Sequence, residues 1–363
     1  MQNKNKKKIC LIVSSLGKGG AERSAGLLSI ALHQSGHDVT LVTVLNHIEF
    51  DYQGRLINLG ELKDKNDSFF GRIERFLKFR KLLSEERFDY IIDSRSRISP
   101  IREQLISKFL YRSTPVIYII RSAKLKTYLG TDKRKAKKLY SKAYQMVAVS
   151  KTIAEKVRQE YGLDRVVTIY NPVEVINVDK TIYKTKADSK YVLFFGRLDN
   201  SIKNISMLID AYVKSDLPEK FVDLYIMGDG PDLEFLKNHA LKTNCGKHIK
   251  FLPFNENPFP VVSHALFTLL TSHYEGLPRS VIESLACGVP VISTDYEGGP
   301  EELINPGYNG LIVQAANARA FADAMNRFIF DKSLYNSCRS NAKASVAHLS
   351  LDKIAEEWDK LLT

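Results

Sequence analysis

Glu275 and Glu283 stand eight positions apart in the stretch Leu270-Thr-Ser-His-Tyr-Glu-Gly-Leu-Pro-Arg-Ser-Val-Ile-Glu-Ser-Leu-Ala-Cys-Gly-Val-Pro-Val-Ile-Ser-Thr-Asp295. The stretch reads as strand, turn, helix, turn, strand. The apolar run Ala265 to Leu270 suits a buried strand and Val289 to Ser293 the next one; Pro278 suits the first helical position and Gly288 the position just past the last turn. The spacing predicts a helix over about 278–287. Its first amides, with the turn Glu275-Gly276-Leu277 before them, face the crevice outside the strand ends, where a helix dipole favours phosphate. Such an arrangement can seat a diphosphate. Glu283 then lies ~7.5 Å along the helix from the phosphate end at 1.5 Å per residue, about where the ribose of a nucleoside diphosphate would lie. Glu275 remains beside whatever the terminal phosphate carries.

A second set of candidates follows the apolar run Tyr191 to Phe195. Gly196, Arg197 and, further on, Lys203 come directly after it, so both cations sit at a strand end. When a diphosphate leaves, negative charge builds on the bridging oxygen, and two fixed cations aimed there lower the barrier. The bland alternative is a pair of solvated loop cations. Met227-Gly228-Asp229-Gly230-Pro231 also ends a strand and opens a helix. Gly228 would let a nucleoside approach the backbone closely, although a left-handed turn with an Asp cap fits the same residues. In the first half, Gly19-Gly20-Ala21-Glu22-Arg23 opens a helix ending near Gly36, either as a tight turn or as a place where backbone meets ligand.

The elements that must position these residues follow from length and pattern. At 363 residues the chain exceeds the size at which one core stops growing, so two domains are expected. The first half alternates apolar strands with amphipathic helices in the manner of a doubly wound sheet, with strands at Ile9 to Ser14, Asp38 to Val44, Tyr90 to Asp93, Val116 to Ile120, Met146 to Val149 and Val167 to Tyr170. A polar connector follows Asn171-Pro172 through about Lys190. The second half repeats the alternation with strands at Tyr191 to Phe195, Leu224 to Met227, Ile249 to Leu252, Ala265 to Leu270, Val289 to Ser293 and Gly310 to Val313, followed by helices over 317–330, 333–347 and 355–362. The expected domains are therefore 1–172 and 173–349, with a terminal helical segment over 350–363.

The net charge of +12 is unevenly divided: residues 1–172 carry 33 Lys and Arg against 17 Asp and Glu, and residues 173–363 carry 20 against 24. A polyanion or an anionic membrane surface is thus a partner expected of the first half alone. Two segments concentrate the charge. Residues 68–86 place Phe69, Ile73, Phe76, Leu77 and Leu83 along one face and Arg72, Arg75, Lys78 and Lys81 elsewhere, which describes either a surface helix packed on the sheet or one docking on anionic lipid. The other segment runs from Lys124 to Lys142. No nucleic-acid motif or aromatic stacking stretch accompanies them, so nucleic acid is not expected as a partner. No run reaches the roughly 18 apolar residues of a spanning helix, and the apolar core after Lys8 is shorter than that of a signal peptide. Cys10, Cys245, Cys287 and Cys338 lack paired spacing and read as reduced packing residues of a cytoplasmic protein. No metal-ligand cluster is apparent, and Arg197 with Lys203 can replace a divalent cation.

The segment from Ser272 to Ile292, with its two glutamates in the pattern S-x-Y-E-G-L-P-x-x-x-I-E-S-L-A-C-G-V-P-V-I, resembles the signature of retaining family 4 glycosyltransferases. The resemblance spans nearly the whole chain and is strongest over residues 191–313. It implies a GT-B fold, two Rossmann-like doubly wound domains facing a central cleft, with the last helix crossing back to the first domain. It also implies that Glu275 lies by the donor sugar, that Glu283 binds the ribose hydroxyls, and that the amides of Gly276, Leu277 and Pro278's turn meet the diphosphate. Arg197 and Lys203 match the family's basic pair, although the spacing of six, where five is common, shifts the expected pose of Lys203. Gly20, Gly196 and Gly228 become donor-binding candidates, as does Phe254 in the loop Pro253-Phe254-Asn255 where backbone would pair with the base. After Val116 to Ile120 many relatives carry a His; here Arg121 stands instead, as a diphosphate or acceptor contact or as a surface cation. No carboxylate stands out as a double-displacement nucleophile. The implied activity is transfer of a sugar with retention from a nucleotide-sugar, a UDP-sugar foremost, to a glycan or lipid-linked acceptor in cell-surface polysaccharide or glycolipid synthesis, by a cytoplasmic protein peripheral on the inner face of the membrane and needing no metal or cofactor. The rival readings are a nucleotide-sugar epimerase of the same fold and a basic nucleic-acid-binding protein.

Overall fold

The computed structural model describes residues 6–17, 19–174 and 190–363. The chain divides into two compact units, Met1–Glu174 with Leu349–Thr363, and Val175–His348. The connector expected up to about Lys190 lies almost wholly outside the described residues.

The first unit is built on seven strands: β1 (Lys8–Val13), β2 (Asp38–Thr43), β3 (Arg55–Asn58), β4 (Tyr90–Asp93), β5 (Val116–Ile120), β6 (Gln145–Ala148) and β7 (Val166–Thr168). They pair in parallel in the order β3-β2-β1-β4-β5-β6-β7. Continuous apolar runs such as Ile9–Val13 and Val116–Ile120 are buried throughout, as a parallel sheet covered on both faces requires. The edge strand β3 was not expected. Its two apolar residues, Leu56 and Ile57, are flanked by exposed Arg55 and by Asn58 and are themselves only partly covered, so the run is too short and too polar to stand out. The helix Leu351–Leu361 packs on the helix Gly20–Gln34 of the same unit, with Asp359 accepting from His37 Nε2 at 2.9 Å or sharing its proton.

The second unit carries six parallel strands: β8 (Lys190–Phe195), β9 (Val222–Met227), β10 (Ile249–Leu252), β11 (Thr268–Leu270), β12 (Val291–Thr294) and β13 (Gly310–Val313), in the order β10-β9-β8-β11-β12-β13. Its core gathers Val192, Phe194, Leu224, Ile226, Leu269 and Ile292 from the sheet against Leu208, Tyr212, Phe321 and Phe328 from the helices. The strand order reverses between β8 and β11. In an open α/β sheet that reversal opens a crevice at the carboxyl ends of the two strands, and it is there that ligands bind.

The signature helix is shorter than the spacing suggested. It spans Arg279–Ala286, and Pro278, with φ −68° and ψ 117°, precedes it as the capping residue rather than occupying the first helical position. Gly288 sits past the last turn with φ 74°, the left-handed position that glycine takes most readily. The Val289 amide closes the helix by donating to Ser284 O at 3.0 Å, and Pro290 has no N–H, so β12 begins only at Val291.

Candidate active site

The site grows from the two strand ends at the reversal. After β8 the chain turns through Gly196, at φ 149°, and after β9 through Gly228, at φ 151°. The two turns lie on one another: a Cβ on Gly228 would fall 1.9 Å from the Gly196 carbonyl oxygen. Only a glycine fits there. Leu198 N donates to Asp229 O at 2.8 Å, which fixes the segment carrying Arg197. Arg197 itself is exposed, and no hydrogen bond or ion pair ties it to another of the described residues.

From Arg197 the chain passes into the single helical turn Asn200–Lys203, which stops at Asn204 in the left-handed conformation, φ 49°. That turn docks on the loop after β11. His273 N donates to Ile202 O at 2.9 Å and Thr271 Oγ1 donates to Lys203 O at 2.8 Å. Lys203 is therefore held against the Glu275 loop in spite of the six-residue spacing from Arg197. Its ammonium forms a short ion pair with Glu275 Oε1, both side chains being largely buried.

Ser272 Oγ donates to the same Glu275 oxygen at 2.7 Å. With Oε1 engaged by two donors, the carboxylate has one orientation, and Oε2 is the oxygen left to meet a ligand. A further loop, absent from the sequence-level candidates, supports this arrangement from the other side. Glu275 N donates to Glu297 O at 3.0 Å, Glu297 N donates to His273 O at 3.1 Å, and Thr294 Oγ1 donates to Ser272 O at 3.1 Å. A Cβ on Gly298 would lie 2.4 Å from the Glu275 carbonyl oxygen, so the two loops touch backbone to backbone. Tyr296 is buried beneath them. Burial, and then the Glu275 carboxylate nearby, push its phenol well above the ordinary tyrosine range, so it stays neutral.

Gly276, Leu277 and Pro278 are buried in the turn that enters the helix Arg279–Ala286. The amides of Gly276, Leu277 and Ser280 make no hydrogen bond to another of the described residues, as expected of donors at a helix N-terminus. Glu283 is 5% exposed, one turn further in. Because Cβ bonds tilt toward the helix N-terminus, its carboxylate reaches back to the first turn. There Oε1 accepts from Arg279 Nε at 2.9 Å and Arg279 Nη2 at 2.8 Å. Sequence reasoning missed Arg279, Ser272 and the 295–299 loop. An Arg–Glu pair at i, i+4 was the available signal for the first.

Phe254 lies half-buried just past β10, and Gly228 N donates to Leu252 O at 3.1 Å, so its loop adjoins the Gly228 turn. Gly20 and Arg121 belong to the first unit. Gly20 is exposed at the start of the helix after β1. Arg121 is no loose surface cation: it donates through Nε to Ser94 Oγ at 2.8 Å and through Nη1 to Asn171 Oδ1, tying together the segments after β4, β5 and β7. The end of β4 is itself braced by buried Asp93. Burial alone would raise its carboxyl, but Arg95 and Arg97 beside it overcome that and hold it below the usual range.

The chain matches the Glycosyl transferases group 1 family over residues 176–345 and Glycosyltransferase Family 4 over residues 18–176. It is 29% identical, over 98% of both chains, to the GalNAc-alpha-(1->4)-GalNAc-alpha-(1->3)-diNAcBac-PP-undecaprenol alpha-1,4-N-acetyl-D-galactosaminyltransferase of Campylobacter jejuni. Among solved structures, the sucrose-phosphate synthase of Thermosynechococcus elongatus superposes with a TM-score of 0.80 at 19% identity over 98% of both chains. HepE of Anabaena in complex with UDP does so with a TM-score of 0.76 at 19% identity over 97% of this chain and 98% of that one. With both units matched and the two-sheet fold shared, the chain belongs to the glycosyltransferases of group 1 and family 4, and has their GT-B fold.

Proposed function

We propose that this glycosyltransferase moves a sugar with retention from a nucleotide-sugar, a UDP-sugar foremost, to a lipid-linked or glycan acceptor in cell-surface polysaccharide or glycolipid synthesis, working as a peripheral protein on the inner face of the membrane. The observation that carries the reading is the convergence of Lys203, Ser272 and Glu275 beside the helix amides at the strand reversal. The Campylobacter relative named for a diphospho-undecaprenol acceptor, similar over nearly its whole length, supports the acceptor class, and HepE solved with UDP supports the base.

In this reading the diphosphate lies on the amides of Gly276, Leu277 and Ser280, and Glu283, steadied by Arg279, takes the ribose hydroxyls. The C1–O bond breaks and its electron pair leaves with the nucleoside diphosphate. Arg197 and Lys203 stabilise the charge that develops there, in place of a metal ion. The acceptor hydroxyl attacks C1 on the face the diphosphate leaves, and its proton passes to a departing phosphate oxygen. Glu275 Oε2 faces the sugar as it flattens toward an oxocarbenium-like state. The diphosphate and Glu275 both draw on the Lys203 ammonium.

A donor-hydrolysis screen across UDP-, GDP- and ADP-sugars in EDTA tests the reading. UDP release from one UDP-sugar is expected. Turnover of a GDP- or ADP-sugar instead would overturn the choice of base, and dependence on added divalent cation would overturn the role given to the two cations. Ser272 supplies a sharper check. A hydrogen bond to a charged group contributes about 1.5–3 kcal/mol, so Ser272→Ala should lower kcat about tenfold or more by freeing Glu275, with nucleoside diphosphate affinity unchanged. A loss confined to nucleotide affinity would place Ser272 elsewhere in the mechanism.

A further inference from the structure

Sixteen large apolar side chains stand exposed among the described residues, and eight of them lie between Phe69 and Phe109 of the first unit. They form two stripes. On the helix Phe69–Glu86, Phe69, Ile73 and Leu77 recur every fourth residue with Phe70 beside them, and Phe69 and Phe70 are 72% and 78% exposed. Of its large apolar side chains this helix buries Phe79 and Leu83 alone, so the face that the sequence grouped as one is divided between core and solvent. The second stripe, Ile98, Ile101, Leu105 and Phe109, follows the helix Pro100–Ile106 into the π-helical turn Ser107–Tyr111, against which the first helix packs.

Both stripes are set among cations. The segment 100–112 exposes Arg102, Lys108 and Arg112, while its sole carboxylate, Glu103, is buried and paired with Arg95 and Arg102. On the first helix Glu74 and Glu85 are paired with Lys78 and Lys81, Arg72 and Arg75 with Asp67, and Arg80 stands exposed. Exposed apolar surface of this extent marks an interaction site. An anionic bilayer offers both hydrocarbon for the stripes and phosphate for the cations, whereas a second copy of the chain would bring cation against cation.

We propose that the two neighbouring helices of residues 69–86 and 98–112 form a docking surface for an anionic lipid bilayer. This deepens the membrane-facing part of the proposed function and rests on it. The basic segment Lys124–Lys142 buries Ala136, Leu139 and Tyr140 in its helix and presents cations alone, so it adds attraction but nothing to insert. Seated helices of this kind sink their apolar face about 5–10 Å into the headgroup boundary.

The test is co-sedimentation of the full chain with vesicles of phosphatidylglycerol and phosphatidylethanolamine, beside vesicles of phosphatidylcholine alone. Wild type should bind the anionic vesicles at least about tenfold better, an advantage that high salt reduces. The variants F69S/F70S/I73S/L77S and I101S/L105S/F109S should each lose about tenfold or more of that binding. Both should keep nucleoside diphosphate affinity and transfer to a water-soluble acceptor, which shows that they fold. Indifference of wild type to anionic vesicles, variants that bind as wild type does, or a wild-type dimer in ultracentrifugation that the variants dissolve would each overturn the proposal. Vesicle binding that behaves as stated in a chain that transfers to no acceptor would refute the acceptor reading and leave the docking surface supported.

Discussion

Arg197→Ala should lower kcat on the order of 10²-fold or more while leaving the affinity for free nucleoside diphosphate within a few fold of wild type. The two cations differ in their surroundings. Lys203 is paired with Glu275, so part of its charge is already balanced. Arg197 stands exposed on the turn after β8 with no partner among the described residues, so in the proposed function its charge is available in full when the bridging oxygen becomes negative. A charge that counts most in the transition state appears in kcat rather than in ground-state binding. Single-turnover rates at saturating donor, set beside calorimetric titration with nucleoside diphosphate, measure the two separately. A loss falling chiefly on nucleotide affinity would make Arg197 a ground-state ligand. Lys203→Ala should also slow turnover, and it leaves Glu275 held by Ser272 alone, so its effect combines lost charge with a displaced carboxylate.

The second large effect separates the two glutamates. Glu283→Ala should weaken donor and free nucleotide binding alike by about 10- to 150-fold, because a charged hydrogen bond is worth about 1.5–3 kcal/mol and the proposed ribose contact would exist equally in ground and transition states. It also removes the carboxylate that Arg279 pairs with at the helix N-terminus, where a cation is unfavourable. Arg279→Gln should therefore reproduce part of the affinity loss. Glu275→Gln should instead depress kcat and leave nucleoside diphosphate affinity near wild type, since in the proposed function its second oxygen faces the sugar. Should Glu275→Gln lose nucleotide affinity while Glu283→Ala keeps it, the assigned roles are reversed and the helix does not present its first turn to the donor.

Much of the sheet framework could be read from the chain because buried parallel strands leave uninterrupted apolar runs. Tyr90–Asp93, Val116–Ile120, Ile249–Leu252 and Gly310–Val313 fall where the runs put them. Strand ends were less legible where another bond competes for the backbone. Val289 belongs to the helix cap and not to β12, and Ala265 N donates to Val262 O of the preceding helix rather than to a strand. The two glutamates and the basic pair were visible as side chains at strand ends. The contacts that orient them were not, because Ser272, Thr294 and Glu297 act through backbone oxygens or through single hydroxyls that no spacing rule distinguishes. Nor could periodicity say which apolar side of residues 69–86 faces inward. Phe79 and Leu83 are buried and Phe69, Ile73 and Leu77 are not, a partition that depends on the neighbouring π-helical turn rather than on the helix's own pattern.

Glycosyl transfer from a nucleotide-sugar through the strand-end site is the central claim, and mass spectrometry of the acceptor tests it most directly. The chain would be incubated with a panel of UDP-sugars and polyprenyl-diphosphate-linked glycans, and Arg197→Ala and Glu275→Gln proteins of unchanged thermal stability would be run in parallel. One acceptor should gain the mass of a single sugar residue in the wild-type reaction, with the α-configuration of the donor kept in the product and the gain suppressed in both variants. An acceptor that gains the same mass at the same rate with either variant, or a product of inverted configuration, would contradict the account.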